Sequence, residues 1–182
     1  LLPLLSRQLR ASEDEAAGHA QNRAIEGALL ITLPAAAALM IIAEPAISVL
    51  FERGAFSAAA AAASADALIA YAAGLPSFVM IKVLVPGYFA RQDTRTPVRI
   101  AIICLTMNIA FNLILMGPLG HVGIALATTL SGWLNAALLA RGLHQRGYFT
   151  ADKRLRQRMP RMLLATAAMA VALWALSAAL AG

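Results

Sequence analysis

Long apolar runs alternate with short polar stretches along the 182 residues of this chain. A membrane-spanning helix needs about 20 consecutive residues that are mostly apolar. Five segments approach or exceed that length, at residues 24–51, 67–90, 100–116, 122–140 and 162–181. The pattern therefore predicts an all-α, polytopic transmembrane helical bundle with about five spans. The alternative, a buried bundle in a large soluble protein, would not require apolar segments of membrane length.

The composition favours the membrane interpretation. Hydrophobic residues make up 60% of the chain and charged residues 13%, and the mean hydropathy is +0.73. A soluble domain has about 45–50% apolar and about 25% charged residues, so this chain has too few polar side chains to cover one. The net charge of +6 does not indicate nucleic acid, because nucleic-acid-binding proteins gather their bases on one polar face. Soluble enzymes, disordered proteins and nucleic-acid-binding proteins are therefore poor interpretations.

The basic residues are distributed unevenly between the two predicted sides of the membrane. If all five segments span, the first, third and fifth polar stretches share one side and hold thirteen of the fifteen bases. The opposite side holds only Arg53, and Lys82 lies within a segment. Since Lys and Arg accumulate in cytoplasmic loops, the first full segment is predicted to enter from the cytoplasm. The thirteen bases are Arg7, Arg10, Arg23, Arg91, Arg95, Arg99, Arg141, Arg146, Lys153, Arg154, Arg156, Arg158 and Arg161.

Lys82 is the most conspicuous single residue, because an ammonium inside a span costs several kcal/mol unless it reaches water. It lies eight residues before Ala90, at the predicted cytoplasmic end of its segment. One interpretation is a lysine that extends along the helix to the interface. The other is a cation that faces a cavity and meets an anionic ligand such as a pyrophosphate. Arg91, just beyond the same segment, is the second basic candidate for a substrate cavity.

Polar side chains also lie within the third and fourth segments. Asn108 and Asn112 are four residues apart, so they share one helix face. The short connection between the segments predicts antiparallel neighbours and brings Thr128 to a depth similar to that of Asn112. One interpretation is hydrogen bonding between helices. The other is a monovalent cation site or a polar lining of a transport path.

Motifs of soluble enzymes are missing from the sequence. It contains no GxGxxG, P-loop, HExxH or GxSxG pattern, and its three histidines fall in separate polar stretches. The single cysteine, Cys104, excludes an internal disulfide and argues against a cysteine-based zinc site. We therefore expect neither an enzyme nor a cofactor-binding or metal-binding protein.

Four stretches carry a specific family pattern in the order expected for that family. The longest is residues 82–98, KVLVPGYFARQDTRTPV, and the others are LPLLSR at 2–7, LFERGAF at 50–56 and GPLGHVG at 117–123. Together they resemble the MurJ (MviN) family of lipid II flippases over nearly the whole chain. The opening LPLLSR is similar to the end of an earlier family helix, so we expect a piece of a longer membrane protein.

The resemblance implies a two-lobed transporter of the multidrug/oligosaccharidyl-lipid/polysaccharide exporter superfamily in the bacterial inner membrane. It implies that the protein flips lipid II, the undecaprenyl-pyrophosphate-linked peptidoglycan precursor, by alternating access in cell wall biosynthesis, and so supports cell shape. Residues 1–23 would be the end of a preceding helix and a cytoplasmic linker, and residues 24–140 four helices of the C-terminal lobe. Residues 141–161 would be a basic cytoplasmic linker, and residues 162–182 an additional C-terminal transmembrane helix.

The resemblance also implies partners and one ion site. The expected partners are lipid II, membrane lipids, a monovalent cation and an N-terminal lobe that would hold the family's cavity arginines. Asn108, Asn112 and Thr128 match positions of a coupling-cation site in the family, but Asn112 stands where a carboxylate is expected. A neutral pair would bind a cation more weakly and could leave only a packing role. Two alternatives to a flippase remain open: a structural or scaffold membrane module, and an exporter of another lipid-linked oligosaccharide or small molecule.

Overall fold

The computed structural model describes residues 3–4, 14–51 and 57–181, and nearly all of them are helical. We number the helices in chain order. They are α1 (Asp14–Phe51), α2 (Ala58–Ala72), α3 (Leu75–Phe89), α4 (Arg95–Gln145) and α5 (Lys153–Ala181). Residues 52–56 of the LFERGAF stretch, most of LPLLSR at 2–7, and the bases Arg7, Arg10 and Arg53 lie outside the described residues.

The helices are long and apolar enough to cross a membrane. Four membrane-length stretches occur in the described part of the chain, at Ala17–Phe51, Ala58–Phe89, Arg95–Gln145 and Lys153–Ala179. This confirms the predicted all-α transmembrane bundle. The predicted segments at 100–116 and 122–140 both fall within α4.

Helix α4 is a helical hairpin rather than one straight rod. At about 1.5 Å per residue, its 51 residues would extend about 76 Å, far more than a bilayer core of about 30 Å. The chain reverses at Gly120, whose φ of 56° and ψ of −129° are not helical. The hydroxyl of Ser131 then donates to the carbonyl of Cys104 at 2.9 Å, across the hairpin. The first arm (95–119) and the second arm (121–145) are therefore antiparallel neighbours, as the short connection predicted.

The second predicted segment, 67–90, corresponds to two helices joined by a break. Helix α2 begins nine residues earlier, at Ala58, where the Ser57 hydroxyl accepts a hydrogen bond from the amide of Ala60 at 3.3 Å. The break lies at Ala73 and Gly74. Pro76 is the physical cause, because it lacks the N–H that would continue the helical bonding.

Helices α1 and α5 begin about ten residues before their apolar segments, at Asp14 and Lys153. The apolar pattern misses these turns because their polar side chains bind one another at one end of the bundle. There the side chain of Asp152 accepts the amide of Leu155 at 2.7 Å and caps α5. Part of the predicted basic linker, 141–161, is therefore helical.

A buried core lies where α1, α3, both arms of α4 and α5 meet. Its members come from every one of these elements and include a tyrosine that is completely buried. They are Ile25, Leu29, Leu84, Tyr88, Ile100, Cys104, Leu139, Leu143, Leu155 and Met162.

Candidate functional site

Lys82 lies on the exposed side of α3, away from the core face that carries Leu84 and Tyr88. It is seven residues before the end of the helix at Phe89, or about 10 Å along the axis. Within the described part of the chain its ammonium has no hydrogen bond or ion pair. A cavity-facing cation and a snorkelling lysine both require this outward orientation.

Arg91 lies in the turn after α3, half-buried, and the structure does not bring it together with Lys82. Its guanidinium donates to the carbonyl of Gly87 at 3.1 Å and lies 4.6 Å from the centre of the Tyr148 ring. A cavity of about 510 Å³ opens beside it, at the end of the bundle that carries Arg91, Arg146 and Arg158, which we call the basic end. Its lining consists of Gly18, His19, Asn22, Arg91, Gly147, Tyr148, Thr150 and Asp152.

The turn that follows Arg91 is fixed by a second arginine. Asp93 accepts the amide of Thr96 at 3.0 Å and forms an ion pair with Arg146 at the end of α4. Arg146 also donates to the Thr96 hydroxyl at 2.8 Å. Burial raises the pKa of the Asp93 carboxyl, but the Thr96 hydrogen bonds and the Arg146 charge outweigh burial and hold the pKa below its ordinary value. These contacts tie the connection between α3 and α4 to the connection between α4 and α5.

The three predicted polar residues within the hairpin are only partly brought together. The side-chain amide of Asn112 donates to the backbone carbonyl of Asn108 at 2.9 Å and to its side-chain oxygen at 3.0 Å. Thr128 donates instead to Ile124 of its own helix at 3.0 Å. Among the described residues, no hydrogen bond links Thr128 to either asparagine. The Asn112 side-chain oxygen is buried without a partner in that part of the chain.

The break between α2 and α3 is held by side chains of the second arm of α4. The Thr129 hydroxyl donates to the carbonyl of Ala70 at 2.7 Å, and the Trp133 indole donates to that of Ala73 at 3.0 Å. Broken helices of transporters can offer such carbonyls to ions. Here the two carbonyls accept hydrogen bonds from side chains of α4, and these bonds hold the break between α2 and α3 against that helix. Sequence reasoning missed Trp133, although its spacing of four from Thr129 places both on one helix face.

A cluster of charged side chains joins α1 to the beginning of α5, and no pattern in the sequence predicted it. Glu26 lies in the interior of α1, two residues after the start of the predicted apolar segment at residue 24, and it is only 6% exposed. Its carboxylate forms ion pairs with Arg23 and Arg158 and lies 3.5 Å from the guanidinium of Arg154. The cluster therefore attaches the beginning of α5 to α1.

Asp152 extends this attachment. It pairs with Arg23 and lies 3.8 Å from the imidazole of His19. Burial raises the pKa of the Asp152 carboxyl, but the amide of Leu155 and the Arg23 charge lower it more, so the pKa lies below its ordinary value. Asn22 completes the contact by donating to the Thr150 carbonyl at 3.0 Å. The described residues contain no group of three or more His, Cys, Asp or Glu that could hold a metal ion.

Comparisons with known proteins give one consistent family. A sequence model described as lipid II flippase MurJ matches residues 1–182. The chain is 45% identical over 174 residues to a probable lipid II flippase MurJ of Rhizobium meliloti, covering 96% of this chain and 32% of that protein. It is 41% identical over 173 residues to a probable lipid II flippase MurJ of Vibrio cholerae, covering 95% of this chain and 33% of that protein. The chain thus spans about a third of the length of these relatives.

A solved structure shares the fold. It is described as lipid II flippase MurJ in an inward closed conformation, with a TM-score of 0.73 at 22% identity. The match covers 97% of this chain and 41% of that one. With the membrane-length helices, these matches place the chain among multi-pass membrane proteins. The chain belongs to the lipid II flippase MurJ family.

Proposed function

We propose that this chain is the C-terminal part of a transporter that flips lipid II across the inner membrane by alternating access. The observation that carries the proposal is the family match over residues 1–182, together with a fold that matches 41% of a solved family member. Transport, rather than catalysis, is then the activity. An N-terminal lobe would supply the other wall of the substrate cavity.

The proposed mechanism needs helices that move together. The joint between α2 and α3 holds these helices against α4, the ion pairs at the basic end hold α5 against α1, and the buried core joins α1 and α5 to α3 and α4. Packed elements of this kind move as bodies, because interiors are close-packed and do not deform continuously. We infer that α1 to α5 shift as one unit against the N-terminal lobe.

Lys82 is the residue that we propose to meet the substrate. Its ammonium lies on the side of α3 that the described helices leave uncovered, within a span. A pyrophosphate in a water-filled cavity would attract it, because charges interact more strongly near low-dielectric walls than in bulk water. Arg91 would contribute from the basic end, where it borders the cavity beside Tyr148.

Asn108 and Asn112 are proposed to act mainly in packing. Each would offer a cation only neutral oxygens, and the Asn108 side-chain oxygen already accepts from Asn112 at 3.0 Å. Thr128 donates to Ile124 of its own helix, and no hydrogen bond between described residues joins it to either asparagine.

The test is lipid II flipping by the full-length protein in reconstituted vesicles. The wild-type protein should flip lipid II, and Lys82→Ala should lower the rate about tenfold or more while Lys82→Arg retains most of it. Lys153→Ala, at another exposed lysine of the chain, is the matched control and should retain the wild-type rate. A wild-type protein that does not flip lipid II would refute the proposed function, and a Lys82→Ala variant of normal rate would refute the role of Lys82.

A further inference from the structure

One wall of the cavity at the basic end is the connection between α4 and α5, and its backbone is fixed by hydrogen bonds. Helix α4 ends in a turn at Gly147, whose φ of 70° lies in the left-handed region that favours glycine. In this turn the amide of Gly147 donates to the carbonyl of His144 at 3.0 Å. The amide of Tyr148 donates to the carbonyl of Leu143 at 2.9 Å. The turn thus brings the half-buried Tyr148 against the core and into the lining of the cavity.

Asn22 of α1 holds the same connection on the other side of Tyr148. It is only 3% exposed. Its side-chain amide donates to the carbonyl of Thr150 at 3.0 Å, and its side-chain oxygen accepts the amide of Asp152 at 3.1 Å. Backbone contacts before and after Tyr148 therefore hold its ring in place without any contribution from Arg91.

Arg91 is the side chain that the Tyr148 ring restrains. The central carbon of its guanidinium lies 4.6 Å from the ring centre, well within the distance of about 6 Å at which a ring attracts a cation. One of its N–H groups donates to the carbonyl of Gly87 at 3.1 Å. A ring and a carbonyl carry no net charge, so these two contacts orient the guanidinium without neutralising it. Arg146, in contrast, is paired with the carboxylate of Asp93.

A restrained guanidinium is suited to binding a phosphate. A long arginine side chain loses rotamer freedom when a ligand fixes it, and a side chain that is already ordered loses less. A ring that stacks on the face of a guanidinium leaves the N–H groups at its edge, which is where two phosphate oxygens can be bound together. The contact with Tyr148 therefore prepares Arg91 for an anionic ligand.

We propose that Tyr148 is a positioning residue for the substrate: it holds the guanidinium of Arg91 in the cavity so that Arg91 binds the pyrophosphate of lipid II. The inference rests on the proposed transport function and on the contribution of Arg91 to it. It gives the connection between α4 and α5 a part in substrate binding, in addition to linking two helices. Loss of the ring then weakens substrate binding and leaves the movement of the helices unchanged.

The experiment measures flipping by the full-length protein in vesicles over a range of lipid II concentrations. Tyr148→Leu removes the ring and keeps an apolar side chain against the core. It should raise the lipid II concentration at half-maximal rate about fivefold and leave the maximal rate within about twofold of wild type. Tyr148→Phe restores the ring and should bring the half-maximal concentration back to within about twofold of wild type. The matched control is Phe149→Leu, at the neighbouring half-buried ring that packs on the same core, and it should leave the half-maximal concentration unchanged.

A double variant separates positioning from packing. Arg91→Gln should raise the half-maximal concentration at least as much as Tyr148→Leu does. Adding Tyr148→Leu to Arg91→Gln should then have no further effect, because the ring acts through the guanidinium.

Several outcomes would overturn the inference. Tyr148→Leu could leave the half-maximal concentration unchanged or lower only the maximal rate. Phe149→Leu or Tyr148→Phe could raise the half-maximal concentration as much as Tyr148→Leu, which would assign the effect to packing or to the hydroxyl. Arg91→Gln could behave as wild type, or Tyr148→Leu could have its full effect in the Arg91→Gln background. All of these are seen in a protein that flips lipid II, whereas a wild-type protein that does not flip it refutes the proposed function and this inference together.

Discussion

Gly132 of α4 provides the most direct test of the joint between α2 and α3. A Cβ atom at this position would lie 2.6 Å from the Phe78 ring and 2.8 Å from the Ser77 hydroxyl. The ring cannot easily move away, because Gly74 packs against its other side. The contact is so close that a Cβ built at Gly74 would lie only 2.9 Å from the ring. Phe78 is thus held between Gly74 in the break and Gly132 of α4, and the glycine of α4 allows the close approach that membrane helices use.

Gly132→Ala should therefore destabilise the protein. Overpacking of this kind costs about 1–3 kcal/mol, whereas alanine alone would stabilise a helix by about 1 kcal/mol relative to glycine. Gly27→Ala is the matched control, because nothing lies within 4 Å of a Cβ built at Gly27 of α1. The difference between the two variants cancels the helix propensity and isolates the steric term.

The assay is reversible unfolding of the full-length protein in detergent, followed by circular dichroism as the SDS fraction increases. Gly132→Ala should be about 1–3 kcal/mol less stable than Gly27→Ala. Replacing Phe78 by leucine in the Gly132→Ala background should recover at least about half of that loss, because the two sites are in contact. Equal stability of the two alanine variants, or no recovery with leucine, would refute the packing argument.

Three further predictions concern the hydrogen bonds and ion pairs. Thr129→Val removes a hydrogen bond to the carbonyl of Ala70 on α2, whereas Thr106→Val removes only a hydrogen bond within its own helix. In SDS titrations, Thr129→Val should therefore lower the free energy of unfolding by about 0.5–2 kcal/mol more than Thr106→Val. Equal losses in the two variants would contradict this. Because the pKa of Asp93 is lower in the folded state, its stabilisation is complete above the ordinary carboxyl value and is lost as the pH falls below about 4. The melting temperature, measured from neutral to acidic pH, should therefore depend less on pH in Asp93→Asn than in the wild-type protein. An unchanged pH dependence would show that the Asp93 carboxylate does not stabilise the fold. Glu26→Gln should speed amide hydrogen exchange at the beginning of α5, because it weakens the ion pair with Arg158. Glu44→Gln, at an exposed position of α1, is the control and should leave that exchange unchanged. Unchanged exchange in both variants would show that the Glu26 cluster does not hold α5.

The sequence could predict the membrane-length helices because bilayer thickness sets a length that apolar runs must match. It also predicted the hairpin of α4, because a connection of only five residues between the segments 100–116 and 122–140 makes the two helices antiparallel neighbours. It did not predict that α1 and α5 begin about ten residues earlier, because the polar turns are stabilised by contacts between distant residues. Glu26 illustrates this point, as its partner Arg158 lies 132 positions away.

The candidate site was predicted to a smaller extent. Periodicity correctly grouped Asn108 with Asn112, because four residues form one helical turn. It could not show that Thr128 bonds its own helix, since that depends on the rotation of the second arm. The role of Trp133 depends on a break in a neighbouring helix, which no local pattern contains. Whether Lys82 meets a substrate stays a prediction.

The measurement that bears most directly on the transporter interpretation is the water accessibility of position 82. Lys82→Cys in a cysteine-free full-length protein would be treated from the periplasm with a membrane-impermeant thiol reagent. Leu164→Cys, at an exposed apolar position of α5, serves as the lipid-facing control. If Lys82 faces the substrate cavity, position 82 should react, added lipid II should slow the reaction, and position 164 should stay unlabelled. A position 82 that never reacts in any conformation would contradict a cavity-facing lysine and with it the proposed path of the substrate.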